Sequence, residues 1–236
     1  MKNLASLALC GLAVLPLLCA VAATAPSSAA NPSTNPSTKP ADIPTKWELT
    51  FTCGTPKPIS VLLPGQKEPN TFWYVEYTVI NETNDEQIFV PEFILYTDTG
   101  QILRAGQNVP NAVFNTIKSE IVLNEPLLMD TAAISKMPFL RGIDHARKGV
   151  MIFTDIDPSA GSFDIFVGGL SGETVHIRPP TPVETVTTDR EGKQHVVMKD
   201  EIILAKTLKL HYLLPGEASA RSKTTPTLES KTWVMR

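Results

Sequence analysis

The sequence predicts a mainly β protein, an antiparallel β-sandwich with one short helix. Short segments alternate apolar and polar residues with the period of a half-buried strand. Brief turns rich in Gly, Pro and Asp separate these segments. Only around residues 110–121 do apolar residues recur every four positions, as on one face of a helix. Nine or so strands are expected.

The N-terminus has the layout of a secretory signal peptide. Lys2 supplies a short positive region, an apolar run follows from Leu4 to Val21, and small residues come next. Residues 1–25 are predicted to be this peptide, with cleavage after Ala22, Ala25 or Ala30. Proline 16 inside the run disfavours a transmembrane anchor. No membrane span is expected after cleavage, and the protein is expected in the periplasm, at the cell surface or outside the cell.

Lipid attachment at Cys19 is a second possible address. A bacterial lipobox requires a small residue before the cysteine, whereas Leu18 is bulky. After cleavage Cys53 is the one remaining thiol, so no internal disulfide is possible. Cys53 alternates with apolar residues and is expected to be buried, and a reactive or intermolecular thiol is the alternative.

Composition divides the rest of the chain into three parts. Residues 26–45 are rich in Pro, Ser, Thr and Asn and are expected to form a disordered spacer. Residues 46–216 are expected to form the sandwich. Residues 217–236 are expected to be a loose tail, with a possible short edge strand through Trp233.

The first strands are predicted at 47–53, 59–63 and 72–80. The third is rich in aromatic residues, with Trp73, Val75, Tyr77 and Val79 on one face. Strands at 87–90 and 92–97, split by a proline, should follow, and Asp98-Thr99-Gly100 reads as a hairpin turn before residues 101–104.

The second half begins with the predicted helix, about residues 110–121, and irregular pieces at 124–144. Strands are then predicted at 149–156, 162–167 and 202–214. The segments 183–188 and 194–198 flank a polar turn and are predicted to form a hairpin.

One strand resembles a known family. Tyr77-Thr-Val-Ile-Asn81-Glu-Thr resembles the Y-x-V-x-N-x-T strand of bacterial extracellular immunoglobulin-like modules. The resemblance covers about a quarter of the chain. It implies an immunoglobulin-like sandwich outside the cytoplasm and carries over no catalytic residues.

The sharpest chemical motif is Asp98-Thr99-Gly100, which is similar to the D-T-G triad of aspartic peptidases. A single copy would require a homodimer. Thr97 stands where that family has an apolar residue, and Gln101 stands where it has a small one. Because D-x-G between apolar runs is a common turn, the hairpin interpretation is preferred.

Other chemistries find less support. Ser171 lies in an incomplete nucleophile elbow, and the four histidines lack zinc-site spacing. Asp155, Asp157 and Asp164 bracket one hairpin and are a candidate calcium site, although their spacing is not that of an EF-hand. No basic block interleaved with aromatic residues predicts nucleic-acid binding, and the net charge is −3.

The function expected from the sequence is that of an exported, non-enzymatic binding or structural module with an unknown protein or envelope partner. No catalytic, cofactor or metal residue is assigned. A homodimeric aspartic peptidase using Asp98 is the alternative. Phe72, Tyr74 and Tyr96 are the first expected partner surface.

Overall fold

The computed structural model describes residues 47–121, 128–189, 191–221 and 223–236. Within these ranges the chain forms, in order, β1 (Thr50–Cys53), β2 (Lys57–Val61), β3 (Asn70–Ile80), β4 (Glu92–Thr97), β5 (Ile102–Arg104), α1 (Asn111–Ile121), α2 (Thr131–Ile134), β6 (Arg147–Thr154), β7 (Ser162–Gly168), β8 (Thr174–Ile177), β9 (Val183–Thr188), β10 (Gln194–Lys199), β11 (Ile202–Leu213), α3 (Ala218–Arg221) and β12 (Thr227–Met235). The predicted signal peptide (1–25) and spacer (26–45) lie outside the described residues.

The smaller sheet is organised around β3. β6 pairs with one edge of β3, while β1 and β2 pair one after the other with the opposite edge. All pairings are antiparallel. The eleven residues of β3 therefore hold three other strands.

The larger sheet has the order β12-β11-β7-β4-β5, also antiparallel. β11 is its longest strand, with twelve residues. Its C-terminal half lies between β7 and β12, whereas its first four residues pair with β8. β9 and β10 pair only with each other within the described part of the chain.

The two sheets pack face to face around one apolar core, which confirms the predicted mainly antiparallel β-sandwich. Trp73, Val75, Tyr77 and Val79 all face this core, as their alternation predicts. The Tyr77 ring lies 4.9 Å from that of Phe93 in the larger sheet, within the range of favourable aromatic pairs.

A second core lies on the other face of the smaller sheet. There α1, through Val113 and Ile117, covers Phe72 and Tyr74 of β3. Phe72 and Tyr74 are buried, so the prediction that they form a partner surface was wrong. Tyr96 is half-buried, because the Arg236 guanidinium lies 4.9 Å from its ring centre.

The interior of the smaller sheet contains one very close approach. Gly149 of β6 pairs with Tyr77 of β3, and the tyrosine ring lies across the glycine. A Cβ at Gly149 would lie 2.5 Å from Tyr77 Oη, well inside van der Waals contact. Only glycine fits this position without displacing the ring.

Most predicted elements are present, including the helix, which begins at Asn111 and ends at Ile121. Two differ. Residues 87–90 form only an isolated bridge from Gln87 to Phe139 instead of a strand. The segment 217–236, predicted to be loose with a possible short edge strand through Trp233, contains the nine-residue strand β12. β12 is the edge strand of the larger sheet, next to β11. Pairing with β11 makes this segment a regular strand, although its composition does not predict one.

Candidate interaction site

One part of the chain differs from the sandwich in having almost nothing buried. We call residues 174–189 and 191–205 the arm; they comprise β8, β9, β10 and the first residues of β11. The arm is a two-stranded ribbon in two segments. β8 pairs with Ile202–Ala205, and the chain then continues into the β9–β10 hairpin. Prolines 179, 180 and 182 lie between β8 and β9 and interrupt the ribbon there.

The tip of the arm is held by local hydrogen bonds. The Asp189 carboxylate accepts bonds from the backbone N–H of Glu191 at 3.0 Å and of Lys193 at 2.9 Å. His195 Nε2 lies 2.8 Å from Asp189 Oδ2, and this contact, followed by the backbone bonds, lowers the pKa of Asp189. Gly192 supplies the positive φ that the turn requires.

Apolar side chains of the arm point into solvent on both of its faces. On one face of the hairpin, Val186, Val196 and Met198 are 59%, 66% and 55% exposed. Val183 and Val197 are exposed on the other face of the hairpin. Nearer the sandwich, Val175, Ile177 and Ile203 are also exposed. A soluble monomer normally buries such a strand face, and contiguous exposed apolar surface marks an interaction site.

The backbone edges of the hairpin are also open. Neither outer edge of β9 or β10 has a ladder partner among the described residues. Natural proteins guard open edges with prolines, bulges or inward-pointing charges. β10 (QHVVMK) has none of these in its centre. A two-stranded ribbon of this kind is marginally stable by itself in water.

Asp98, the residue of the peptidase hypothesis, makes hydrogen bonds that hold two turns together. Asp98 lies at the tip of the β4–β5 hairpin, as predicted for a turn, and its carboxylate accepts backbone hydrogen bonds from Gly161 at 3.0 Å and Ser162 at 3.1 Å. These bonds attach the tip to the turn before β7. Asp98 therefore joins two neighbouring turns of the larger sheet.

The three aspartates of the candidate calcium site do not converge. Asp164 lies on the outer face of β7, where it contacts His211 Nδ1 at 2.6 Å and Lys209 Nζ at 2.9 Å. Asp157 accepts hydrogen bonds from Ser159. Across the described ranges, no three side chains of His, Cys, Asp or Glu are placed to hold a metal ion.

Cys53 is half-buried, and its Sγ lies 3.7 Å from Tyr212 Oη. Burial raises the pKa of the Cys53 thiol, and the contact with Tyr212 offsets part of that shift. Ser171 donates to the backbone carbonyl of Trp47 at 3.0 Å, so it fastens the start of the fold. Among the hydrogen bonds of the described residues, those of these two side chains go to Tyr212 and to the backbone near Trp47 and Glu173, and none goes to a histidine.

The sequence predicted the hairpin of the arm but not its exposure. The available signal was the run Val196-Val197-Met198, which places apolar residues on both faces of β10, a strand that pairs with β9 alone among the described residues. Periodicity identifies a strand and its apolar faces, but it does not say whether another layer covers them.

Comparisons with protein-family models, with curated proteins and with solved structures find no match. In the described ranges, no helix has the length and apolar character needed to cross a membrane.

Proposed function

We propose that this chain is an exported, non-enzymatic β-sandwich module that binds a protein through the arm, in the periplasm, at the cell surface or outside the cell. Export is inferred from the signal-peptide layout of residues 1–25. The resemblance of the strand from Tyr77 to Thr83 to bacterial immunoglobulin-like modules is in keeping with that location.

The observation that carries the proposal is the exposure of Val186, Val196 and Met198 beside two open strand edges. Burial of the exposed part of each side chain contributes on the order of 1 kcal/mol. An added strand also satisfies edge N–H and C=O groups and ties the partner to a defined register. The arm therefore offers both affinity and specificity to a protein partner.

The peptidase alternative gains no support from the geometry. A catalytic aspartate needs a water and a second carboxylate close by. The carboxylate of Asp98 instead binds the backbone of Gly161 and Ser162. We therefore place the binding function ahead of it.

Site-specific photocrosslinking in the producing cells tests the proposal. A photoreactive amino acid is placed at Met198 in the arm and, as a matched control, at Ile102, an apolar residue of β5 that is 56% exposed. We expect a discrete protein adduct from Met198 and none from Ile102. No adduct from the arm, or the same adducts from both positions, would contradict the proposal.

The proposed export of the protein is tested by a separate measurement on its N-terminus. Mass spectrometry of the mature N-terminus is expected to show cleavage after Ala22, Ala25 or Ala30. An acylated Cys19 would instead assign a lipid anchor, and an intact N-terminus in the cytoplasmic fraction would contradict export.

A further inference from the structure

We propose that a cavity beside β6 binds the amino-terminal residue of an apolar peptide. The cavity has a volume of about 410 Å³, and the start of α1 and residues 130–135 around α2 line it together with β6. This volume lies toward the small end of the range for ligand pockets, so it suits a short ligand. The cavity belongs to the smaller sheet and contains no residue of the arm among its described lining.

The edge of β6 that faces the cavity is only partly paired. Val150 N–H donates to the carbonyl of Met129 at 3.2 Å, and Gly106 N–H donates to the carbonyl of Ile152 at 2.8 Å. The N–H and C=O of one strand residue point to the same edge, so the carbonyl of Val150 and the N–H of Ile152 also face away from β3. Neither of these two groups has a hydrogen-bond partner among the described residues.

The local sequence explains why this gap exists. Met129 forms a parallel bridge with Gly149 of β6, and a regular continuation of that ladder would bring Thr131 to the two unpaired groups. Asp130 prevents this continuation, because its side chain accepts the N-cap hydrogen bond of α2 from Ala133 at 2.6 Å. The chain therefore turns into α2 at Thr131 and leaves one position of the edge open.

The open position suits a single peptide residue. Val150 and Ile152 are only 2% and 6% exposed, and buried backbone groups rarely lack a partner. A peptide residue in the gap would donate its N–H to the carbonyl of Val150 and accept the N–H of Ile152. Met129 and Gly106 bound the gap on its two sides, so it admits the end of a chain but not a strand that runs through.

Charge selects the amino end of the peptide. Asp130 is the one charged residue, and no lysine, arginine or histidine is present, among the described residues that line the cavity. A residue that takes the place of Thr131 in the parallel ladder has its nitrogen on the side of Asp130. A terminal ammonium there can donate to both the Asp130 carboxylate and the carbonyl of Val150. A terminal carboxylate would meet a like charge instead.

The side chain of the bound residue should be apolar. The side chains of Val150 and Ile152 belong to the apolar core between the smaller sheet and α1, and Val109 and Phe114 pack against that core beside the cavity. A leucine at the amino end of the peptide would remove apolar surface of all these groups from water. The ligand class is therefore a peptide with a free amino group and an apolar first residue.

The first test is an NMR titration of the protein purified after export, with leucyl-alaninamide as the probe. We expect saturable shifts of the Ile152 amide with a Kd in the millimolar range or tighter, and slower hydrogen exchange at that amide. N-acetyl-leucyl-alaninamide, which lacks the ammonium, should bind about fivefold more weakly or less tightly still. Alanyl-alaninamide should also bind more weakly, because it buries less apolar surface.

The second test changes the carboxylate and keeps the helix cap. Asparagine is as good an N-cap as aspartate, so Asp130→Asn should leave the stability in urea unchanged. It should weaken binding of leucyl-alaninamide about fivefold and remove the difference between the free and the acetylated peptide. Asp144→Asn, an exposed carboxylate that does not line the cavity, is the matched control and should change neither affinity.

The third test fills the cavity. Ala132→Phe places a ring at its α2 side and should abolish binding, whereas Ala220→Phe, at an exposed alanine of the equally short α3, should not. The proposal is overturned by the absence of a saturable shift at Ile152 up to about 20 mM peptide, by equal affinities of the free and acetylated peptides, or by equal effects of the two phenylalanine variants. Crosslinking from Met198 in the arm is independent of all these outcomes, so failure of the cavity proposal leaves the proposed function standing.

Discussion

Replacement of Gly149 by alanine tests the packing at the centre of the smaller sheet. The new Cβ would lie 2.5 Å from Tyr77 Oη and closer still to the ring carbon that bears it. Tyr77 is buried between the sheets, with Phe51 at 5.6 Å and Phe93 at 4.9 Å between ring centres, so its ring has little room to move.

The magnitude follows from two opposing effects. Overpacking of a tight core costs about 1–3 kcal/mol. Gly→Ala also restricts the unfolded chain, which returns about 0.4–1 kcal/mol. The free energy of unfolding should therefore fall by about 1–2 kcal/mol, and the melting temperature by roughly 2–8 °C for a domain of this size.

The assay is urea unfolding followed by tryptophan fluorescence, with Gly168→Ala as the matched control. A Cβ at Gly168 would meet Glu92 Cβ at 3.5 Å, an ordinary contact, so this variant should be as stable as the wild type or slightly more stable. In a Tyr77→Leu background the cost of Gly149→Ala should shrink. A Gly149→Ala variant as stable as Gly168→Ala would refute the argument.

Three further predictions concern the sandwich. Arg147→Met should lower the free energy of unfolding by about 2–4 kcal/mol, because the buried guanidinium donates hydrogen bonds to three backbone carbonyls at the end of α2 and in the residues after it. Hydrogen exchange in that segment should accelerate, whereas Arg141→Met, at an exposed position, should change the stability little. Asp98→Ala should cost about 1–2 kcal/mol in urea unfolding by freeing two backbone N–H groups, and a variant of wild-type stability would contradict this role. The pKa of the Cys53 thiol is raised mainly by burial, so this thiol should react slowly with iodoacetamide at neutral pH, and rapid labelling at pH 7 would contradict the burial. The contribution of this thiol to the free energy of unfolding is fully present below the thiol pKa of the unfolded chain. It is lost as the pH rises from that value through the pKa of the folded protein.

The sequence predicts the sandwich well where one face of a strand is buried. The alternation in the aromatic strand β3 correctly predicted which of its residues face the core, and β4 begins and ends at the predicted residues. The prediction for the other face of β3 was wrong. Phe72 and Tyr74 were expected to meet a partner, whereas α1 of the same chain covers them. An alternating pattern identifies two faces but not the element that packs on each.

The candidate site was the harder part to predict. The D-T-G motif indicated Asp98 as a candidate catalytic residue, yet its carboxylate accepts a hydrogen bond from the backbone of a neighbouring turn. The sequence did not indicate the arm as a candidate site, because its strands have the composition of ordinary sheet strands. What makes them unusual is the absence of a covering layer among the described residues, and that property depends on how distant segments pack.

The order of the strands in the larger sheet has a consequence for folding kinetics. β7 lies between β4 and β11, and its Val167 pairs with Phe93 on one edge and with Leu208 on the other. Both partners are far away in sequence, so the chain must close long loops before the central ladder gains any stability. Folding is therefore expected on the slow side for a single domain, in milliseconds to seconds. Such a delay favours a chain that, as proposed, crosses a membrane before its sheets are complete.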